Sequence, residues 1–115
     1  MYNYFMLVGV IAADIEVKEV KDGKKVANVI LAVTREFKNS DGSYSTDYIR
    51  VSIWESLIDL CIDSLKKGKR IGVKGRINPR KETISTGAII PINDLIVDRV
   101  VYFDDVELQD KVDES

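Results

Sequence analysis

One stretch of this chain alternates so regularly that it constrains the fold more than any other, and it reads Tyr48-Ile49-Arg50-Val51-Ser52-Ile53-Trp54. Successive side chains of a strand point to opposite faces, so the three aliphatic side chains are predicted to face a core. The opposite face then carries two aromatic rings and a guanidinium in one row. Such a row is typical of a platform on which unpaired bases stack, and it equally fits a second core or a subunit interface.

The preceding segment, Val26–Phe37, is predicted to pair with this strand in a hairpin, because the intervening polar residues Lys38–Ser43 are typical of a turn. Arg35 and Phe37 share one parity and lie just before the turn, so we expect both on the aromatic face. The expected face therefore comprises Phe37, Tyr48 and Trp54, with Arg35 and Arg50 beside them as predicted phosphate contacts.

Charge is distributed unevenly along the chain, although the net charge is only −2. Residues 104–115 contain six acids and one lysine, which gives −5 and leaves +3 for residues 1–103. Eight basic residues and no acid lie between Lys66 and Lys81. Asymmetry of this kind says more about partners than the total charge does, and here it predicts an anionic partner. The predicted phosphate contacts in this region are Arg70, Lys74, Arg76, Arg80 and Lys81.

Most of the remaining chain is also predicted to form strands. Apolar Phe5–Ile11 is interrupted by Gly9, which predicts a bend, and Ile15–Val20 alternates before an Asp-Gly turn. Arg70–Ile77 alternates again, with Gly72 and Gly75 as expected kinks. The segment Pro79–Ile90 is expected to be a long excursion, and Ile92–Phe103 to complete the sheet.

The sequence predicts one helix. Ser56 is the expected N-cap, Leu57, Ile58, Cys61, Ile62 and Leu65 recur at helical spacing, and Gly68 is the expected C-terminal stop. Cys61 lies on the apolar side and is predicted to be an inert core residue. An all-β, five-stranded OB-fold barrel with one α-helix between strands 3 and 4 follows from this order. The expected domain is residues 1–103, followed by a short acidic tail, 104–115, of disordered composition.

Composition excludes several other classes of function. The chain has no histidine, which excludes His-based triads and the usual zinc fingers, and a single cysteine, which cannot form an internal disulfide. No metal, cofactor or enzymatic activity is predicted, because the glycines lack the spacing of a phosphate-binding loop and the carboxylates are scattered. No apolar run approaches transmembrane length and no basic secretory segment opens the chain, so a cytoplasmic, nucleoid-associated protein is the expectation.

Over residues 3–103 the chain resembles the bacterial single-stranded-DNA-binding protein family. The resemblance rests on the order and spacing of five segments: Asn3–Val10, Val26–Phe37, Asp47–Trp54, Leu65–Lys69 and Val73–Ile77. It implies an OB-fold that assembles as a homotetramer, or failing that a dimer, and binds single-stranded DNA in replication, recombination and repair. The apolar stretches Tyr4–Val10 and Ile92–Phe103 also exceed what one small barrel needs, which favours an interface.

Carried over by position, the base-stacking residues of the family correspond to Phe37, Tyr48 and Trp54. The chain departs from the family pattern at Glu82, where an aromatic residue is common, and in its short acidic end, which resembles a plasmid, phage or accessory version. Whether that end recruits other proteins stays open. Two other functions also stay open: an OB-fold subunit that binds proteins, of the primosomal replication protein or recombination mediator type, and an RNA-binding OB domain.

Overall fold

The computed structural model describes residues 2–103, so the predicted acidic tail, 104–115, lies outside the described residues. Six strands, one short α-helix and two 3₁₀ turns follow one another within these described residues. The elements are β1 (Phe5–Ile11), β2 (Glu16–Glu19), β3 (Lys25–Lys38), β4 (Tyr44–Trp54), α1 (Ser56–Cys61), β5 (Arg70–Thr83) and β6 (Ile89–Tyr102), with 3₁₀ turns at Lys21–Gly23 and Ile62–Ser64.

Five of these strands close into a barrel. The sheet order is β1-β5-β6-β4-β3-β2, and an additional pairing of β1 with β3 joins the two sides. The four-residue β2 pairs only with the start of β3 and stands outside the closed ring. All pairings are antiparallel except that of β4 with β6, which is parallel. The predicted five-stranded barrel is therefore confirmed, with β2 as an additional short strand.

The core is apolar and is filled from one face of each long strand. Leu31, Ile53 and Ile71 are completely buried, and α1 closes one end of the barrel with Ile58 and Cys61. Val51 and Ile53 are buried while Tyr48 and Arg50 are exposed, which is the alternation expected of β4. Cys61 is a buried core residue as predicted, and burial raises the pKa of its thiol.

Two glycines permit close approaches of the backbone that closure requires. A Cβ at Gly9 would lie 2.6 Å from the Ala32 carbonyl oxygen, at the point where β1 leaves β5 and meets β3. A Cβ at Gly75 would lie 1.8 Å from the Ile96 carbonyl oxygen, beside a register shift between β5 and β6. Gly72 is different, because its nearest side-chain contact would be an ordinary 3.5 Å. The kink prediction therefore holds for Gly75 and not for Gly72.

The predicted bounds of the helix and of the long excursion were wrong. The N-cap of α1 is Glu55, with φ 52°, and not Ser56, and the helix passes into a 3₁₀ turn after Cys61, although Leu65 is buried as expected. Among the five barrel strands α1 lies between the third and the fourth, as predicted, and the additional β2 makes these β4 and β5 in chain order. The expected excursion Pro79–Ile90 is instead the tip of a long β5–β6 hairpin, and Pro79 and Pro91 both lie within its strands. Within the described residues, no helix is long and apolar enough to cross a membrane.

Candidate nucleic-acid interface

The outward face of β4 presents the predicted aromatic row. Tyr48 is 70% exposed, Arg50 is exposed, and Ser52 and Trp54 are partly buried. The register of the hairpin sets their neighbours on β3: Tyr48 pairs with Ala32 and Trp54 pairs with Val26. Small or aliphatic neighbours leave the aromatic rings accessible from the outside of the barrel.

The indole of Trp54 is held in place by a short chain of hydrogen bonds. Its Nε1–H donates to Ser52 Oγ at 3.0 Å, and the Ser52 hydroxyl donates to the Leu95 carbonyl oxygen at 3.3 Å. Leu95 belongs to β6, so the ring is tied to the neighbouring strand as well as to its own. An aromatic ring that is already oriented loses less conformational entropy when a ligand stacks on it.

Tyr48, Arg50 and Trp54 form one wall of a groove of about 730 Å³, called here the first groove. The opposite wall comes from the β5–β6 hairpin and includes Asn78, Arg80 and Asp94. The groove thus combines aromatic faces, amide groups and charged groups from strands that are far apart in sequence.

A second groove of about 440 Å³ shares the same tryptophan with the first. It is lined by Lys24, Glu55, Leu57, Arg76 and Asp98 in addition to Trp54. Because Trp54 lines both grooves, it is the point at which they meet. An extended polymer could follow the first groove, pass over the indole and enter the second.

The expectation that Arg35 shares this aromatic face is wrong. Val33 pairs with Asp47 and Ala32 with Tyr48, so the odd-numbered residues of β3 lie on the opposite face. Arg35 accordingly reaches Asp47, donating from Nε and Nη2 to the two carboxylate oxygens at 3.0 Å each. This pair lowers the pKa of Asp47 and raises that of Arg35, chiefly through the hydrogen bonds.

Phe37 also lies away from the grooves. A register shift falls between Thr34 and Lys38, near the tip of the hairpin, and Phe37 is 83% exposed there. It lines neither groove. The structure thus brings Tyr48 and Trp54 together and leaves Phe37 as a separate exposed ring.

Apart from Arg35, the predicted phosphate contacts fall into three groups. Arg50, Arg76 and Arg80 line the grooves. Arg70 and Lys74 are exposed on β5 where it pairs with β1, and the Lys74 ammonium lies 5.9 Å from the centroid of the Tyr4 ring. Lys81 is exposed beyond Arg80 on the protruding β5–β6 hairpin.

Two of the groove arginines are already paired with carboxylates. Arg80 donates from Nε to Asp94 Oδ2 at 2.6 Å and lies 3.6 Å from Glu82, and these neighbours, Asp94 first, raise the pKa of Arg80. Arg76 donates from Nη1 to Asp98 Oδ1 at 3.0 Å. Within residues 2–103, Arg50, Arg70, Lys74 and Lys81 form no ion pair.

Sequence reasoning missed several groove residues. Asn78, Asp94 and Asp98 were not predicted because β5 was expected to end at Ile77, so the alternation of the hairpin strands beyond that residue was not followed. Arg76, Asn78 and Arg80 have the same parity. Continuing β5 through Pro79 would therefore have placed Asn78 on one face with the two arginines. Within residues 2–103, no three His, Cys, Asp or Glu side chains cluster as metal ligands.

Comparison with known proteins identifies the family. A solved chain described as "Plasmodium falciparum SSB complex with ssDNA" superposes with a TM-score of 0.74 at 24% identity, covering 90% of this chain and 96% of that one. That likeness confirms the predicted OB-fold.

Curated relatives are similar over nearly the same region. A "Single-stranded DNA-binding protein B" of Bacillus subtilis is 33% identical over 104 residues, covering 90% of this chain and 92% of that protein. A "Single-stranded DNA-binding protein" of Oceanobacillus iheyensis is 31% identical over 104 residues, covering 90% of this chain and 65% of its own length. The sequence profile of the "Single-strand binding protein family" matches residues 2–102. The chain therefore belongs to the single-strand binding protein family.

Proposed function

We propose that this protein binds single-stranded DNA without sequence preference and without catalysis, in replication, recombination and repair. The observation that carries the proposal is the Trp54 indole, fixed by Ser52 between two grooves that also contain Tyr48, Arg50 and Arg80. Bases of a single strand stack on aromatic side chains, and each such contact is worth about 1–3 kcal/mol by truncation. Duplex DNA offers no free base faces. The location that we propose is the cytoplasm, on the DNA itself.

The proposed stacking residues are Tyr48 and Trp54 in the grooves and Phe37 further along the hairpin. The proposed phosphate contacts are Arg50, Arg76 and Arg80 beside these rings, with Arg35, Arg70, Lys74 and Lys81 engaging a strand that continues beyond the grooves. Contacts of this type release condensed counterions, so affinity falls as salt concentration rises.

Intrinsic fluorescence tests the proposal directly, because the chain has one tryptophan. Titration with oligothymidine should quench Trp54 and saturate, whereas a duplex of equal length should leave it unchanged. An RNA oligomer of the corresponding sequence should compete only weakly with oligothymidine for the protein. Absence of quenching with a folded protein would favour the protein-interaction reading, in which the same aromatic face contacts another protein.

We further propose assembly into a homotetramer, or a dimer. Met6 and Val8 lie on the outward face of β1 and Tyr4 immediately precedes this strand, and Met6 is 65% exposed, although such residues are costly on the surface of a monomer. Light scattering at micromolar concentration should give a mass above that of one chain, and Met6→Lys should lower it. Leu60→Lys is the matched control, because Leu60 is 80% exposed on α1. A monomeric wild-type protein would contradict the proposal.

A further inference from the structure

The two grooves contain nearly balanced charge, which is unexpected for a surface that attracts a polyanion. Their lining includes four cations, Lys24, Arg50, Arg76 and Arg80, and three carboxylates, Glu55, Asp94 and Asp98. Two of the carboxylates are bonded to two of the arginines. A phosphate that binds Arg76 or Arg80 must therefore share that guanidinium with a carboxylate or displace it.

The two ion pairs have the same construction. Arg76 is opposite Ile96 and Arg80 is opposite Ile92 in the β5–β6 register, and each guanidinium reaches the acid two positions further along β6, Asp98 or Asp94. Diagonal neighbours of this kind are within reach of a long side chain. The repeat four residues apart on both strands places one such pair in each groove.

A β-bulge places the second of these acids. Lys74 is opposite Arg99 whereas Gly75 is opposite Val97, so Asp98 is the extra residue of the bulge. Val97 is buried, and both Asp98 and Arg99 are exposed, which regular alternation would not allow. Bulges commonly redirect a side chain next to a functional site. Here the bulge presents the Asp98 carboxylate to Arg76 in the second groove.

We infer that Asp94 and Asp98 act as internal phosphate substitutes, which hold Arg80 and Arg76 in the free protein and are exchanged for DNA phosphates on binding. Both partners of each pair are accessible to solvent: the Asp94 side chain is 27% exposed and the Asp98 side chain 56%. A phosphate can therefore approach each guanidinium from outside. The acids pre-orient the arginines, and they also weaken binding, because a displaced carboxylate remains next to the phosphate.

This inference rests on the proposed DNA binding, and the experiment separates the two. The wild type, Asp94→Asn and Asp98→Asn are titrated with oligothymidine at several salt concentrations, using Trp54 quenching. Each variant should bind about fivefold more tightly at low salt, the factor expected when one repulsion between unit charges about 4 Å apart in water is removed. The slope of log affinity against log salt should steepen by about 0.7 per acid removed. In the wild type the displaced carboxylate takes up a cation, which offsets the counterion that the bound phosphate releases. The Asn variant has no carboxylate at that position, so this offset is lost.

Asp14→Asn is the matched control, because Asp14 is exposed, lines neither groove and forms no ion pair within the described residues. It changes the net charge equally and should alter affinity much less. An equal gain in this control, or unchanged affinity in both groove variants, would overturn the exchange.

Two further outcomes would also overturn it. If Asp94→Asn weakened binding to oligocytidine but not to oligothymidine, the carboxylate would be accepting a hydrogen bond from a base amino group. If both groove variants lost their fold by circular dichroism, the pairs would be structural, whereas exposed ion pairs contribute little stability. Failure of the wild type itself to bind would instead refute the proposed function.

Discussion

Truncation of Trp54 is the most informative single perturbation, because this side chain lines both grooves and is tied to β6 through Ser52. A base stacked on an aromatic side chain contributes about 1–3 kcal/mol. Trp54→Ala removes the side chain from both grooves, so we expect the upper part of that range, about 2–3 kcal/mol, which is a thirtyfold to 150-fold loss of affinity. Tyr48→Ala affects only the first groove, and about 1–2 kcal/mol is expected.

The assay must not depend on intrinsic fluorescence, since the variant lacks the only tryptophan. Anisotropy of a labelled oligothymidine measures all variants on one scale. Trp54→Phe keeps an aromatic face but loses the Nε1–H donor, and Ser52→Ala keeps the indole but removes its acceptor. Both should therefore lose less affinity than Trp54→Ala. The difference in binding free energy between Ser52→Ala and the wild type measures the contribution of orienting the ring, about 0.5–1.5 kcal/mol for one hydrogen bond.

Leu60→Ala provides the control for loss of an exposed apolar side chain, because Leu60 lies on α1 and lines neither groove. It should bind as the wild type does. Stacking on Trp54 is refuted if Trp54→Ala binds normally, or if Leu60→Ala loses as much affinity. It is refuted as well if Trp54→Ala unfolds by circular dichroism, since the side chain would then belong to the core.

Two other predictions concern stability and acid response. Gly75→Ala should lower the free energy of unfolding by about 3 kcal/mol or more, because its Cβ would lie 1.8 Å from a carbonyl oxygen. Gly72→Ala in the same strand is the control. Equal thermal midpoints of these two variants would contradict the bulge geometry. Arg35 lowers the pKa of Asp47, so their pair stabilises the fold above the ordinary carboxyl pKa of about 3.9 and this stability is lost as pH falls through the lowered value. Arg35→Gln should raise the pKa of Asp47 in carboxyl NMR titration, and an unchanged pKa would exclude the pair in solution.

The barrel and the face of β4 could be predicted because both depend on local alternation. Ile53 and Tyr48 differ in parity within one strand, and burial of one face determines exposure of the other. Cys61 and Leu65 were predicted as core residues by helical spacing even though the helix ends at Cys61, because a 3₁₀ turn carries the chain on in a similar direction. Patterns of this kind require no knowledge of a partner strand.

The position of Arg35 could not be predicted, because it depends on which residue of β3 is opposite which residue of β4. The turn Asn39–Ser43 and the register shift before it set that pairing, and neither is encoded by parity within β3. The pairs Arg76–Asp98 and Arg80–Asp94 were missed for the same reason, since they depend on a bulge and on the register of a hairpin. Interactions between strands, and not the properties of either strand alone, decide where these charges lie.

The arrangement of the grooves separates two contributions that respond differently to salt. β4 supplies the aromatic faces, and β5 supplies the arginines Arg76 and Arg80 from the opposite wall. The proposed stacking on Trp54 and Tyr48 involves no net charge, whereas the proposed attraction between guanidinium and phosphate is screened within about 10 Å at 0.1 M salt. Since carboxylates already offset most of the groove cations, we expect stacking to provide a large share of the affinity that persists at high salt. Binding that depends on base faces in this way favours single strands over duplexes without distinguishing among the four bases.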